Sequence, residues 1–123
     1  MSRNLNRVQL IGNLTRDAEP KTLPSGSKLC TFTVATNRTI RSRNSTIPEK
    51  RETEYTRCVS WGPVADMAEK LLKGQQVFVE GRLSTRKWVS QTGQETTTTE
   101  VVVNDLMASA PREEKEEKEP IPF

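Results

Sequence analysis

The fold class predicted for this chain is all-β: a five-stranded Greek-key barrel with one α-helix between its third and fourth strands, ending in a flexible tail. Three observations predict it. Period-two stretches rich in β-branched residues recur along the first hundred positions, only one segment has helical spacing, and apolar patterning stops before the last dozen or so residues. With 123 residues, of which 33% are hydrophobic, the chain supports one domain with one modest core.

The elements follow in order. Residues 7–14 alternate and include β-branched side chains, so they read as a first strand in which Gly12 marks a bend or bulge. Pro20, Pro24, Ser25 and Gly26 supply turn chemistry before a second strand over 28–37, which places Cys30, Phe32 and Val34 on one face and Thr31, Thr33 and Ala35 on the other. The apolar pattern then vanishes from Arg38 to Glu52, a predicted basic loop holding Arg38, Arg41, Arg43, Lys50 and Arg51.

A third strand spans 54–61. Its inward face is Thr56, Cys58 and Ser60, while Tyr55, Arg57, Val59 and Trp61 point away from the core. Gly62-Pro63 breaks it. Val64, Met67, Ala68, Leu71 and Leu72 then recur at helical spacing, with proline early and Gly74 at the end, which predicts one amphipathic helix. Strands over 76–84 and 97–104 complete the set, joined by a second basic loop carrying Arg86, Lys87, Trp88 and the turn residues 90–94. Three strands, a helix and two strands, without an internal repeat, match a partly open barrel of the oligonucleotide-binding type.

Charge is unevenly distributed. Residues 1–110 hold sixteen Lys or Arg against eleven Asp or Glu, whereas residues 111–123 hold three against five, so a basic body carries an acidic tail. A basic body favours polyanions, and the clustering of arginines at 38–51 and beside the tryptophans points to phosphate contact. The charged strip from Pro111 to Glu119 is too polar to bury, yet it ends in Ile121-Pro122-Phe123. An apolar tip with a ring and a terminal carboxylate, stiffened by Pro120 and Pro122, suits a partner pocket with an apolar floor and a basic rim.

Several classes are set aside on composition. No long apolar run or charged-then-apolar leader is present, which predicts a soluble cytoplasmic protein with no membrane segment. Two cysteines, Cys30 and Cys58, lie in strand-like runs without a Cys-x-x-Cys pair, and the chain has no histidine. No metal site is expected, and both thiols read as small reduced core residues. Catalysis would need a His, a Cys with a base, or clustered carboxylates; Asp17, Glu19, Asp66, Glu69, Glu80, Glu95 and Glu100 are scattered instead. The expectation is a non-enzyme with no cofactor.

Holding a single nucleic-acid strand requires cations along the phosphates and flat rings for unpaired bases. Tyr55, Trp61 and Trp88 are three of the six aromatic residues, and each lies near arginine in the sequence. The predicted DNA-contacting set is Tyr55, Arg57, Trp61, Arg86, Lys87, Trp88, Arg38, Arg41, Arg43 and Arg3.

These residues resemble the bacterial-type single-stranded DNA-binding protein family. The likeness is carried by Asn6-Arg-Val-Gln-Leu-Ile-Gly-Asn-Leu14, by Thr53-Glu-Tyr-Thr-Arg-Cys-Val-Ser-Trp-Gly62, and by Gly81-Arg-Leu-Ser-Thr-Arg-Lys-Trp88 with Thr99-Glu-Val-Val-Val103. It runs from about residue 5 to 104 and resumes at Ile121-Pro122-Phe123. The resemblance implies a homotetramer that binds single-stranded DNA without sequence preference in replication, recombination and repair, associated with the nucleoid. It also implies an acidic tail whose tip, Ile121, Pro122 and Phe123, recruits other genome-maintenance proteins.

Within the resemblance, Trp88 matches a stacking tryptophan, Tyr55 a DNA-facing aromatic position, and Trp61 replaces a stacking phenylalanine. Arg57, Arg86 and Lys87 fit phosphate-contacting positions. Ile40 stands where many members carry a further stacking tryptophan, and the tail interleaves Glu with Lys after almost no linker. The chain thus divides at 108 into a binding domain, 1–108, and an interaction tail, 109–123. Two alternatives share these features: an RNA-binding or primosome-type barrel, and an adaptor acting mainly through its tail.

Overall fold

A computed structural model describes residues 3–40 and 50–110. Six strands and one helix run in the order β1 (Val8–Leu14), β2 (Glu19–Thr22), β3 (Lys28–Ile40), β4 (Lys50–Trp61), α1 (Gly62–Ala68), β5 (Gln76–Val89) and β6 (Glu95–Ala108). The sheet order is β1-β5-β6-β4-β3-β2, and a further β1–β3 pairing closes five of the strands into a barrel. The all-β barrel with its one helix, lying between the third and fourth long strands, is therefore present as expected.

Closure depends on short seams. β1 pairs with β5 from Val8 to Asn13, then passes to β3 through Asn13↔Ala35 and Leu14↔Val34. Gly12 sits at this switch, where a Cβ would run into the carbonyl of Ala35 and Cγ1 of Val34. Only glycine lets β1 approach both neighbours. β4 and β6, the one parallel pair, meet at Cys58↔Val101 and Val59↔Val102. A register shift at Glu80/Gly81 bends the β5–β6 pairing, and there a Cβ on Gly81 would strike the Val102 carbonyl.

The core is the inward side of these alternations: Leu14, Cys30, Phe32, Val34, Cys58, Val77, Val79, Val101, Val103 and Leu106, with Ala65 and Ala68 from α1 and Leu71 from the loop after it. Cys30 and Cys58 are both free and buried. Burial pushes the Cys30 thiol up to about 11, with the carboxylates of Glu69 and Glu19 adding to the rise, and burial alone pushes Cys58 up to about 12. Ser60, equally buried, donates its hydroxyl to the Cys30 carbonyl at 2.9 Å, so the core contains no unsatisfied side-chain polar atom among the described residues.

Three boundaries differ from the sequence reading. The helix stops at Ala68 instead of Leu72, because the next backbone donors bond elsewhere: Leu72 N–H to the Gln75 side chain at 3.0 Å and Lys73 N–H to Asp17 at 2.8 Å. Leu71 remains buried, but Met67 and Leu72 are exposed. β2 is an additional strand, pairing Glu19–Thr22 with Leu29 and its neighbours on β3. It is four exposed residues including Pro20, a residue tolerated on an edge because no ladder bond is needed there.

The third difference concerns the hairpins. β3 and β4 remain paired out to Ile40↔Lys50, so Arg38 belongs to a strand and not to a loop. β5 and β6 pair out to Val89↔Glu95, leaving a tight turn over 90–94. In it Ser90 N–H bonds the Gln94 carbonyl at 2.9 Å and Gly93 takes φ of 85°. Trp88 is thus a strand residue on a two-stranded ribbon that projects beyond the barrel.

Candidate nucleic-acid interface

Alternation on β4 sends Tyr55, Arg57 and Trp61 outward to solvent while Cys58 and Ser60 face the core; Val59 shares the outer side but is buried, at 6% exposure. Register sets the small or apolar residues Ala35, Thr33, Thr31 and Leu29 of β3 directly beside them. On the other flank, Ser84, Arg86 and Trp88 of β5 lie opposite Glu100, Thr98 and Thr96 of β6, and so share that side of the ribbon.

Glu100 joins the two halves. Its carboxylate accepts from Arg57 Nε at 3.2 Å through one oxygen and from Arg86 Nε at 3.3 Å through the other. Its side chain is 8% exposed, against 48% and 54% for the two arginines. The bridge ties β4 to β5 across β6, so Tyr55, Arg57 and Trp61 lie on one continuous surface with Arg86 and Trp88.

A groove of about 560 Å³ opens on this surface. Leu29, Thr31 and Val59 line it together with Trp61, Arg57, Arg86 and Glu100, and the β2 segment Glu19–Lys21 supplies its opposite wall. The three rings are 67% (Tyr55), 44% (Trp61) and 42% (Trp88) exposed, so all three present aromatic surface to solvent and none is sealed in the core. Trp88 is also oriented: its indole N–H donates to Thr98 Oγ1 at 2.8 Å, anchoring one edge of the ring to the neighbouring strand.

Not every predicted residue joins this surface. Lys87 lies opposite Thr97, on the other side of the β5–β6 ribbon from Arg86 and Trp88. Arg38 lies opposite Glu52 and pairs with it at 3.3 Å, on the other side of the β3–β4 hairpin from Tyr55. Arg3 is exposed in the segment before β1. Arg41 and Arg43, like Ile121, Pro122 and Phe123, lie outside the described residues.

The sequence reading also passed over residues that the registers bring in. Arg82, opposite Val102, alternates onto the same side of β5 as Arg86, while Arg51, read with the basic 38–51 loop, lies on β4 opposite Thr39 and alternates onto the same side of its hairpin as Tyr55. Extending the period-two pattern of β5 back from Arg86 finds Arg82. No local signal marks Glu100, because its partners are 43 and 14 residues away.

A closed five-stranded barrel whose outer face sets exposed rings among guanidiniums defines a nucleic-acid-binding protein of the oligonucleotide-binding fold. The model of the single-strand binding protein family matches residues 5–109, and the chain belongs to that family. Among solved structures, the chain is similar to one described as "Plasmodium falciparum SSB complex with ssDNA", with 35% identity and a TM-score of 0.77. That match covers 89% of this chain and 98% of the other. Among the described residues, no helix is long and apolar enough to cross a membrane.

Proposed function

We propose that the chain binds single-stranded DNA without sequence preference, as a non-catalytic protein of the cytoplasm acting in replication, recombination and repair. The observation that carries this is the common surface of Tyr55, Trp61 and Trp88 around the Arg57–Glu100–Arg86 bridge. Stacked bases gain roughly 1–3 kcal/mol each on such rings whatever their identity, and the arginines meet the phosphates between them. Membership of the single-strand binding family and likeness to a structure described as an ssDNA complex support the same reading.

The working assembly is a homotetramer. Ile11, Phe78 and Met107 lie side by side across β1, β5 and β6, facing outward from the core, and Ile11 and Met107 are each well exposed. An outward apolar row on a barrel supports burial against further copies of the chain. The division into a binding domain over 1–108 and a recruiting tail over 109–123 rests on composition, and in it Ile121, Pro122 and Phe123 capture partner proteins.

The test is tryptophan quenching by oligothymidine across a salt series, with sedimentation to give the stoichiometry. Saturable quenching whose affinity falls steeply with salt is expected; indifference to oligothymidine at low ionic strength overturns the proposal. Preference for a matched RNA oligomer would favour an RNA-binding barrel instead. Deleting Pro120–Phe123 is expected to abolish partner capture and leave quenching intact.

A further inference from the structure

Glu100 is the one buried charged residue among the described residues, and it lies in the groove where a polyanion is proposed to run. A carboxylate there repels phosphate. Both of its oxygens are used, one by Arg57 and one by Arg86, each through Nε. The terminal amino groups of those guanidiniums make no other hydrogen bond among the described residues.

Resting on the reading of the groove as a single-stranded DNA site, we infer that Glu100 governs the groove's charge. It presents Arg57 and Arg86 as a fixed pair while reducing their combined charge from +2 to +1, which caps phosphate affinity. The geometry favours this over a purely structural bridge. Arg57 and Arg86 are half-exposed and lie on strands already held to their neighbours by long backbone ladders, so the fold does not need the ion pairs to hold it together. A carboxylate kept at the floor of an anion groove makes strand release easier than two unopposed guanidiniums would.

The charge can be removed with little change of shape. In Glu100→Gln the amide oxygen still accepts from one guanidinium while the negative charge is gone. Binding of oligothymidine is expected to tighten roughly two- to five-fold at low salt. The slope of log affinity against log salt is expected to steepen by about 0.7, the value of one additional neutralised phosphate on a single strand. A merely structural role would lower the melting temperature and leave that slope unchanged. A second comparison, made per folded molecule with each variant's folded fraction measured by urea denaturation, sets R57Q/R86Q against R57Q/R86Q/E100Q, where the guanidiniums are absent from both and the charge at residue 100 differs. The triple variant is expected to bind more tightly. An unchanged slope in Glu100→Gln, or a triple variant no tighter than the double, overturns the inference. Failure of the wild-type protein to bind oligothymidine in the same titration would instead remove the DNA reading itself.

Discussion

The barrel wall and the two projecting hairpins are built from the same strands but by different means. In the wall, alternate residues are sealed inside: Cys30, Phe32 and Val34 on β3, Val77 and Val79 on β5, Val101 and Val103 on β6. Along the outer part of the β5–β6 ribbon, from Thr85 to Val89 and back from Glu95 to Thr99, no residue is buried. Side-chain bonds assist the backbone ladder there, such as Thr85 Oγ1 to Thr99 Oγ1 at 3.1 Å and Trp88 to Thr98. Core packing and the proposed DNA contacts therefore fall to different residues, often adjacent in the chain: Ser60 faces in and Trp61 faces out.

That separation is best attacked first from inside. Phe32→Ala removes a ring that is 3% exposed, and is expected to cost about 3–5 kcal/mol in urea denaturation. The molecules that remain folded should bind oligothymidine with unchanged affinity. Weakened binding per folded molecule would show that wall and binding surface are coupled.

Trp88→Ala is the converse. Its expected loss is about 1–3 kcal/mol of DNA affinity, together with most of the quenching signal. The urea midpoint should move far less than for Phe32→Ala, and equal movement would mean that the ring is principally a packing group.

The thiols sharpen the comparison through pH. Cys30 and Cys58 titrate in the folded chain at about 11 and about 12 instead of the usual 9.0, so above pH 9 the unfolded chain releases protons that the folded chain keeps. Stability is expected to be unaffected by them below pH 9 and to fall progressively as pH rises toward 12. Replacing both cysteines with alanine should flatten that part of the stability–pH curve. A thiol reagent at pH 8 should label the protein only as fast as it opens.

The smallest effect is expected from Thr98→Val, which keeps the β-branched shape but removes the acceptor for the Trp88 indole. A loss of about 0.5–1.5 kcal/mol is expected in ring anchoring, visible as a broader fluorescence-lifetime distribution and slightly weaker binding. No change in either would mean that the indole is positioned by the strand alone.

Much of this architecture was legible in the sequence because burial on one face leaves an alternating trace. Phe32 and Val34, or Cys58 between Arg57 and Val59, announce both a strand and its inward side. The ribbons leave no such trace. Arg86, Lys87, Trp88 and Val89 alternate in direction without alternating in polarity, so a paired stretch of strand reads as a loop. β2 was hidden for a related reason, as four exposed residues around Pro20. The helix was over-extended because Leu71 continues the apolar spacing while its backbone is held by the loop before β2, its carbonyl accepting from Ala18 N–H at 3.1 Å. For the site, the rings and Arg57 and Arg86 were visible as residue types in the right places. Which side Lys87 and Arg38 take depends on strand length, and the Glu100 bridge depends on contacts between distant segments.

The first strand to be synthesised is also the one that closes the cylinder. Val8–Gly12 find their partners only at Val77–Gly81, about seventy residues later, and the parallel seam at Cys58 waits for Val101. A chain emerging from the ribosome therefore has an unmatched apolar edge for most of its translation, and the final joining of remote segments should dominate the folding time. Moving β1 to follow β6 by circular permutation would shorten that wait, making the order of emergence, with the contacts themselves unchanged, the variable that sets how fast the barrel forms.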